Sequence, residues 1–217
     1  MRIGTHAARY HQTSIRYRAL PSLKLKGIKS ALAVIACTLP IVLGFVVPLG
    51  VLDLGVEGGR SLVDIPVIGP FQACLHIAAQ LGERFGVISY TAQSTVKGRM
   101  QARHLGMEHF IGGYADSNTK LRTMADRRED MKATFIASAR KLIDEDGCDV
   151  IIPRGISQCP VHIDPVWLSD ELGVPVVEGI GAPIRLAAML AGLKLKHSRV
   201  RWPKSQSRPN MPGMPPL

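Results

Sequence analysis

Acidic residues are missing from both ends of this chain. Its 217 residues carry 27 Lys/Arg against 17 Asp/Glu, a formal net charge of +10. From Met1 to Ser30 there are seven basic residues and no acid, and from Lys194 to Leu217 six more and again no acid. The segment between holds 14 basic residues against all 17 acids, so the body of the chain is mildly acidic. Charge confined to the ends is the pattern of solvated tails, which hold a polyanion only non-specifically. No zinc-finger spacing, aromatic RNA-binding signature or recognition helix accompanies it, so no specific nucleic-acid partner is expected. Residues 203–217, with Pro209, Pro212, Pro215 and Pro216, read as a disordered tail.

Cysteine is also scarce. Cys37, Cys74, Cys148 and Cys159 are too few and too scattered to staple a chain of this length. Cys159 and His162 have C-x-x-H spacing, but no second pair completes a metal site. Reduced thiols in a cytoplasmic protein are the expectation. Hydrophobic content of 46% is ordinary for a globular α/β protein. Ala31 to Val51 lacks any charge and is long enough to span a bilayer. Pro40, Gly44, Pro48 and Gly50 break it into short pieces, however, and a non-membrane protein is expected.

What the sequence does contain is a repeat. Phe45-Val-Val-Pro-Leu-Gly50 and Val150-Ile-Ile-Pro-Arg-Gly155 are apolar, β-branched runs that each end in Pro-x-Gly. A second apolar run follows each, Asp64-Ile-Pro-Val-Ile-Gly69 and Gly173-Val-Pro-Val-Val-Glu178. Each second run leads into a helix-like segment with Pro near its start, at Pro70 and at Pro183. Continuous apolar runs are the mark of buried parallel strands. Phe85 to Thr91 is another such run, followed by a helix expected to start at Ser94 or Thr95. A long helix is expected from about Asn118 to Asp146, with Met131, Phe135, Ala139 and Leu142 as its apolar stripe and Gly147 as its stop.

Strands alternating with helices predict an α/β fold of two pseudo-symmetric lobes, each with a largely parallel sheet flanked by helices. The expected first lobe comprises residues 1–90 and 180–202, with 6–43 atypical, and the second comprises 91–179. Ligands bind beyond the carboxyl ends of strands in such sheets. Gly50 and Gly155 should therefore face each other across one cleft. Glycine at both turns should leave room at its centre.

Several stretches resemble the aspartate/glutamate/hydantoin racemase superfamily, and hydantoin racemases in particular. They are Leu62 to Ala73, Gly82 to Thr91, Glu145 to Ile152 and Leu172 to Ala187, and the likeness extends from about Phe45 to Arg201. The resemblance implies a cofactor-independent racemase or isomerase that moves an α-proton on an amino acid, a hydantoin or a related small carboxylate or cyclic amide. It also implies two cysteines facing each other across the substrate. Those two positions fall at Gly50 and Gly155, and glycine transfers no proton.

The acid/base role is thus open to other groups. Cys159, with Cys159-Pro160 starting a helix, either supplies a single low-pKa thiol or simply packs. Asp53, Ser157, His162 and Glu178 are further candidates, with Cys159 and Asp53 foremost as catalytic residues. Gly50, Thr91, Ser94, Thr95, Gly155, Ser157 and Glu178 are the expected substrate-binding set, the hydroxyls being placed between a strand and a helix where a carboxylate can be held. His76, Cys74 and Cys148 read as packed structural residues. A non-catalytic ligand-binding protein on the same fold is the alternative, and a homo-oligomer is compatible with either.

Overall fold

A computed structural model describes residues 44–48, 50, 53–119, 124 and 126–204. The expectations for residues 6–43, and for 205–217 of the tail, lie outside the described residues. The elements are α1 (Val56–Leu62), α2 (Pro70–Ala78), β1 (Phe85–Ser89), α3 (Ala92–His104), a short 3-10 turn (Glu108–Phe110), β2 (Ile111–Asp116), α4 (Arg128–Asp144), β3 (Val150–Pro153), α5 (Pro165–Leu172) and α6 (Gly181–Gly192). This is an α/β fold with a parallel sheet flanked by helices.

The named strands form one sheet in the order β2-β1-β3, parallel throughout. In register, Phe85 stands beside Val150 and Ile88 beside Pro153. Side chains alternate across it, as the period of a strand requires. Ile88 and Ile151 face a core shared with Phe135, Leu142 and Leu168 of α4 and α5. Val87, Val150 and Ile152 face a second core with Phe71, Leu75 and Ala102 of α2 and α3. Both faces are covered, which is why the strands read as unbroken apolar runs.

The repeat has a backbone counterpart. The Val46 N–H donates to the Pro66 carbonyl at 2.8 Å, and the Ile68 N–H donates to the Val46 carbonyl at 2.9 Å. In the second copy the Ile151 N–H donates to Pro175 at 2.9 Å, and the Val177 N–H to Ile151 at 3.0 Å. Each apolar run before a Pro-x-Gly turn thus pairs in parallel with the run that follows it, through Val46–Val67 and Ile151–Val176. Phe45 and Val47 are buried against Ile68, Ala73 and Ala187. The expected strand is therefore extended backbone inside a core. Among the described residues no helix is long and apolar enough to cross a membrane.

Helix boundaries differ from expectation where local chemistry decides them. The helix expected at Ser94 or Thr95 begins at Ala92, because Thr91 is its cap. The Thr91 hydroxyl accepts the Ser94 N–H at 3.3 Å, and the Ser94 hydroxyl accepts the Thr91 N–H at 3.0 Å, a reciprocal capping box. The long helix starts at Arg128 rather than near Asn118, whose φ of 47° no helix accommodates. Its stripe of Met131, Phe135, Ala139 and Leu142 is buried as expected. No helix starts at Cys159-Pro160. Residues 156–162 are turns, and α5 begins at Pro165, capped by Asp164.

The basic segment after α6 is not a free tail as far as Lys204. His197 Nε2 accepts the Val67 N–H at 2.7 Å. Arg199 donates to the Val63 carbonyl and pairs with Asp64, which also takes Lys204. The Trp202 indole donates to Glu57 at 2.6 Å, and the Arg60 guanidinium lies 4.9 Å from its ring. Part of the positive charge neutralises Glu57 on α1 and Asp64 in the segment after it.

Candidate functional site

Two carboxylates sit at helix N-termini beside the two Pro-x-Gly turns. The Asp53 oxygens accept the Phe71 N–H at 2.8 Å and the Gln72 N–H at 2.9 Å, capping α2. The Glu178 oxygens accept the Ile180 and Gly181 N–H groups, both at 2.6 Å, capping α6. Each cap depends on a glycine. A Cβ on Gly69 would lie 2.6 Å from the Asp53 carboxylate, and one on Gly181 would collide with Glu178. Asp53 adopts φ 48° to make this reach.

The helix dipole and amide donors favour ionised Asp53, but burial outweighs them and raises its pKa above the ordinary 3.8. Arg154 and Arg60 also lie near enough to oppose that rise.

Gly50, Pro70, Phe71, Cys74, Ile152, Arg154, Ile156 and Gly179 line a small, mainly apolar pocket. It encloses about 10 Å³, room for one water. The two Pro-x-Gly turns therefore meet at one place, beyond the carboxyl end of β3. Glycine does not have the same effect on both walls. Among the described residues nothing lies within 4 Å of where a Cβ on Gly50 would be. At Gly155 the space is filled, because a Cβ would stand 2.5 Å from Tyr90 Cζ and 2.8 Å from Gln158 Oε1. Among the described residues the expected room is absent on the Gly155 side.

Cys159 is fully buried, packed with Ile88, Tyr90 and Ile163. Burial pushes its thiol pKa far up, with Glu178 and Asp164 adding to the rise. The alternative in which it packs is the one its surroundings match. The thiol that lines the pocket is Cys74, which packs in the core with Phe71 and Leu75 as expected; its pKa is raised well above the ordinary thiol value by burial and then by Glu178. Cys148 is buried, its thiol pushed up to about 11 by burial. His76 was expected to pack and is instead exposed on α2, Nδ1 meeting the Gln72 carbonyl at 2.7 Å.

The hydroxyl set is not gathered at the pocket. Thr91 and Ser94 spend their hydroxyls on the α3 cap, and the Thr95 hydroxyl meets the Thr91 and Ala115 carbonyls. The Ser157 N–H donates to the Tyr90 hydroxyl at 3.0 Å. His162 is half-buried, its carbonyl taken by Arg128 at 3.0 Å. Among the described residues no group of His, Cys, Asp and Glu is arranged to hold a metal ion.

Two groups escaped the sequence reading. Gln158 is fully buried, its amide donating to Ser117 and to Thr119, the latter at 3.1 Å. Arg154 is 3% exposed and projects from the carboxyl end of β3. The available signal was the x of Pro-x-Gly, Leu49 in one copy and Arg154 in the other.

The family model described as Asp/Glu/Hydantoin racemase matches residues 44–187. The chain belongs to this family. It is 24% identical over 147 residues to a hydantoin racemase of Paenarthrobacter aurescens, covering 68% of this chain and 61% of that protein. A hydantoin racemase of Pseudomonas sp. (strain NS671) is also 24% identical, over 152 residues, covering 69% and 59%. The chain thus spans about three fifths of the length of these curated relatives. Among solved structures, allantoin racemase from Pseudomonas fluorescens superposes with a TM-score of 0.72 at 20% identity, covering 77% of this chain and 71% of that one. Allantoin racemase from Klebsiella pneumoniae gives 0.69 at 20% identity, covering 77% and 68%. These family likenesses establish the fold.

Proposed function

We propose that the protein is a racemase-type isomerase that exchanges the proton on a carbon next to a carbonyl or carboxylate. Its substrate class is an amino acid, a hydantoin or a related small carboxylate or cyclic amide, and it uses no organic cofactor. The observation that carries this reading is that Gly50 and the Arg154–Ile156 turn, at the ends of two equivalently bonded strand pairs, line one pocket. Family membership supports the reaction class.

Gly50 and Gly155 take the positions of the family's two thiols, so the proton needs another carrier. Asp53 is the best placed. Its carboxyl is bonded to the amide of Phe71, a pocket-lining residue, and its raised pKa brings it toward the range of a working acid/base. A single group on one wall removes and returns the proton on the same face. Exchange then outruns inversion.

The second reading, a ligand-binding protein without catalysis, draws on the same carboxylate: both Asp53 oxygens are already engaged by α2. Solvent-deuterium incorporation at the α-carbon of a panel of amino acids and hydantoins decides between them. Incorporation that Cys159→Ser preserves and Asp53→Asn abolishes supports the isomerase. No incorporation, with a thermal shift on adding a panel carboxylate, supports the binder.

A further inference from the structure

Arg60 is 5% exposed and joins parts of the fold that are otherwise separate. Its Nε–H donates to the Val67 carbonyl at 3.1 Å, and Nη2 donates to the Gln72 side-chain oxygen at 2.7 Å. Nη1 reaches Glu57 at 3.4 Å. The fork thus binds α1, the run that ends at Gly69 and the first turn of α2 at once, as a planar guanidinium can and an ammonium cannot.

Gln72 is the junction. Its side chain accepts from Arg60, and its backbone N–H donates to Asp53 at 2.9 Å. Arg60 therefore holds the helix turn on which the Asp53 carboxylate is seated. It also acts on that carboxylate through space, opposing the effect of burial together with Arg154. The charges that face Arg60 are Glu57 and Asp53, which favour it, and Arg201, which opposes it.

The cover over Arg60 comes from far along the chain. The Trp202 ring lies 4.9 Å from its guanidinium, and the Trp202 indole donates to the same Glu57. Arg199 donates to the Arg60 carbonyl at 2.9 Å. His197 takes the Val67 N–H while Arg60 takes the Val67 carbonyl, so one assembly holds both polar groups of that residue.

Resting on the reading of Asp53 as the proton carrier, we infer that Arg60 is a positioning residue of the site, through which the docked 197–204 segment governs Asp53. The segment reaches the carboxylate without touching it: ring to guanidinium, guanidinium to Gln72, Gln72 amide to Asp53. Undocking uncovers Arg60, loosens its hold on Gln72 and gives its charge to water. Asp53 is then less favoured as an anion.

Two measurements on the full chain separate charge from hold: NMR titration of the Asp53 carboxyl carbon, and hydrogen exchange at the amides of residues 71 and 72. Trp202→Ala should move the Asp53 titration to higher pH. It should also lower protection of both amides roughly threefold to tenfold, the worth of one hydrogen bond. Trp202→Phe, which keeps a ring over the cation, should restore most of both. Arg60→Lys should keep the titration near wild type but not the protection. The pH profile of deuterium incorporation should follow the Asp53 titration in Trp202→Ala.

A folded Trp202→Ala protein that melts earlier, with titration and protection unchanged, would overturn the inference and leave Trp202 and Arg60 as props. Gln72→Ala decides where Trp202→Ala fails to fold, because it cuts the junction on the partly exposed side of α2: unaltered protection there overturns the inference, and lost protection supports it. If Asp53→Asn leaves deuterium incorporation intact, the isomerase reading through Asp53 falls, while the titration and the amides still decide the coupling.

Discussion

The ring of Tyr90 stands where a side chain on Gly155 would go. A Cβ there would lie 2.5 Å from Cζ and 2.7 Å from Cε1, and the Tyr90 hydroxyl accepts the Ser157 N–H at 3.0 Å. Tyr90 is itself buried, so it has little room to retreat. The two Pro-x-Gly turns are alike in backbone pairing but not in what surrounds them.

Gly155→Ala should therefore destabilise the protein by about 1–3 kcal/mol, the usual cost of overpacking a filled core. Gly50→Ala, which meets nothing within 4 Å among the described residues, should change stability by less than about 0.5 kcal/mol. Urea denaturation of the two variants, followed by circular dichroism, makes the comparison. Equal losses at the two positions would show that Tyr90 yields.

Asp53 gives stability an unusual pH dependence. Its folded-state pKa lies above its unfolded value of about 3.8 because burial penalises the charge. The folded state then holds this proton more tightly, and stability falls as pH rises through the interval between the two values. The stability of wild type relative to Asp53→Asn should accordingly increase on acidification through the carboxylate range. Taking the difference cancels Asp64 and Glu108, whose lowered pKa values act in the opposite sense. A difference that shrinks on acidification would show that the two α2 amide bonds outweigh burial.

His197 should act in the opposite direction and at higher pH. Its pKa is held below the ordinary 6.5, first by desolvation and then by Arg60 and Arg199, with Glu57 opposing. Only the neutral ring accepts the Val67 N–H. The unfolded chain takes up this proton first, so the contribution is full above the unfolded pKa and is lost as pH falls through the folded one. His197→Gln keeps an acceptor without a charge and should flatten the fall in stability between neutral pH and about pH 5. Hydrogen exchange at the Val67 amide, quickening on acidification in wild type but not in the variant, gives a local check.

Those elements were legible that depend on one period or one repeated pattern. The Met131–Leu142 stripe, the apolar runs at 85–89 and 150–153, and the duplicated strand-turn order all follow from local spacing, and the structure holds them as read. β2 was missed because Ile111-Gly-Gly-Tyr-Ala-Asp has two glycines and no continuous apolar run; parallel pairing to β1 makes it a strand. Cap chemistry shifted the start of α3 by a few residues, since Thr91 and Ser94 satisfy each other. Near the turns, the approach of Gly50 to Arg154 and Ile156 follows the repeat, although Gly155 itself does not line the pocket they share. The filling of Gly155 by Tyr90 was not legible, because it joins residues 65 positions apart whose only common property is their packing. Arg154 was hidden by the rule that arginine lies outside, since it is 3% exposed at the carboxyl end of β3.

The docking of residues 197–204 onto α1 and the segment after it has a consequence for how the chain becomes a protein. Arg199 reaches Val63 across 136 positions of sequence, and Trp202 reaches Glu57 across 145. Contacts of such separation close late, because the chain between them must be ordered first. A ribosome making this chain extrudes Glu57, Arg60 and Asp64 long before the residues that neutralise and cover them. The edge around Val67 thus waits with its N–H unclaimed until His197 has been made, and the 197–204 segment acts as a latch on what was made before it.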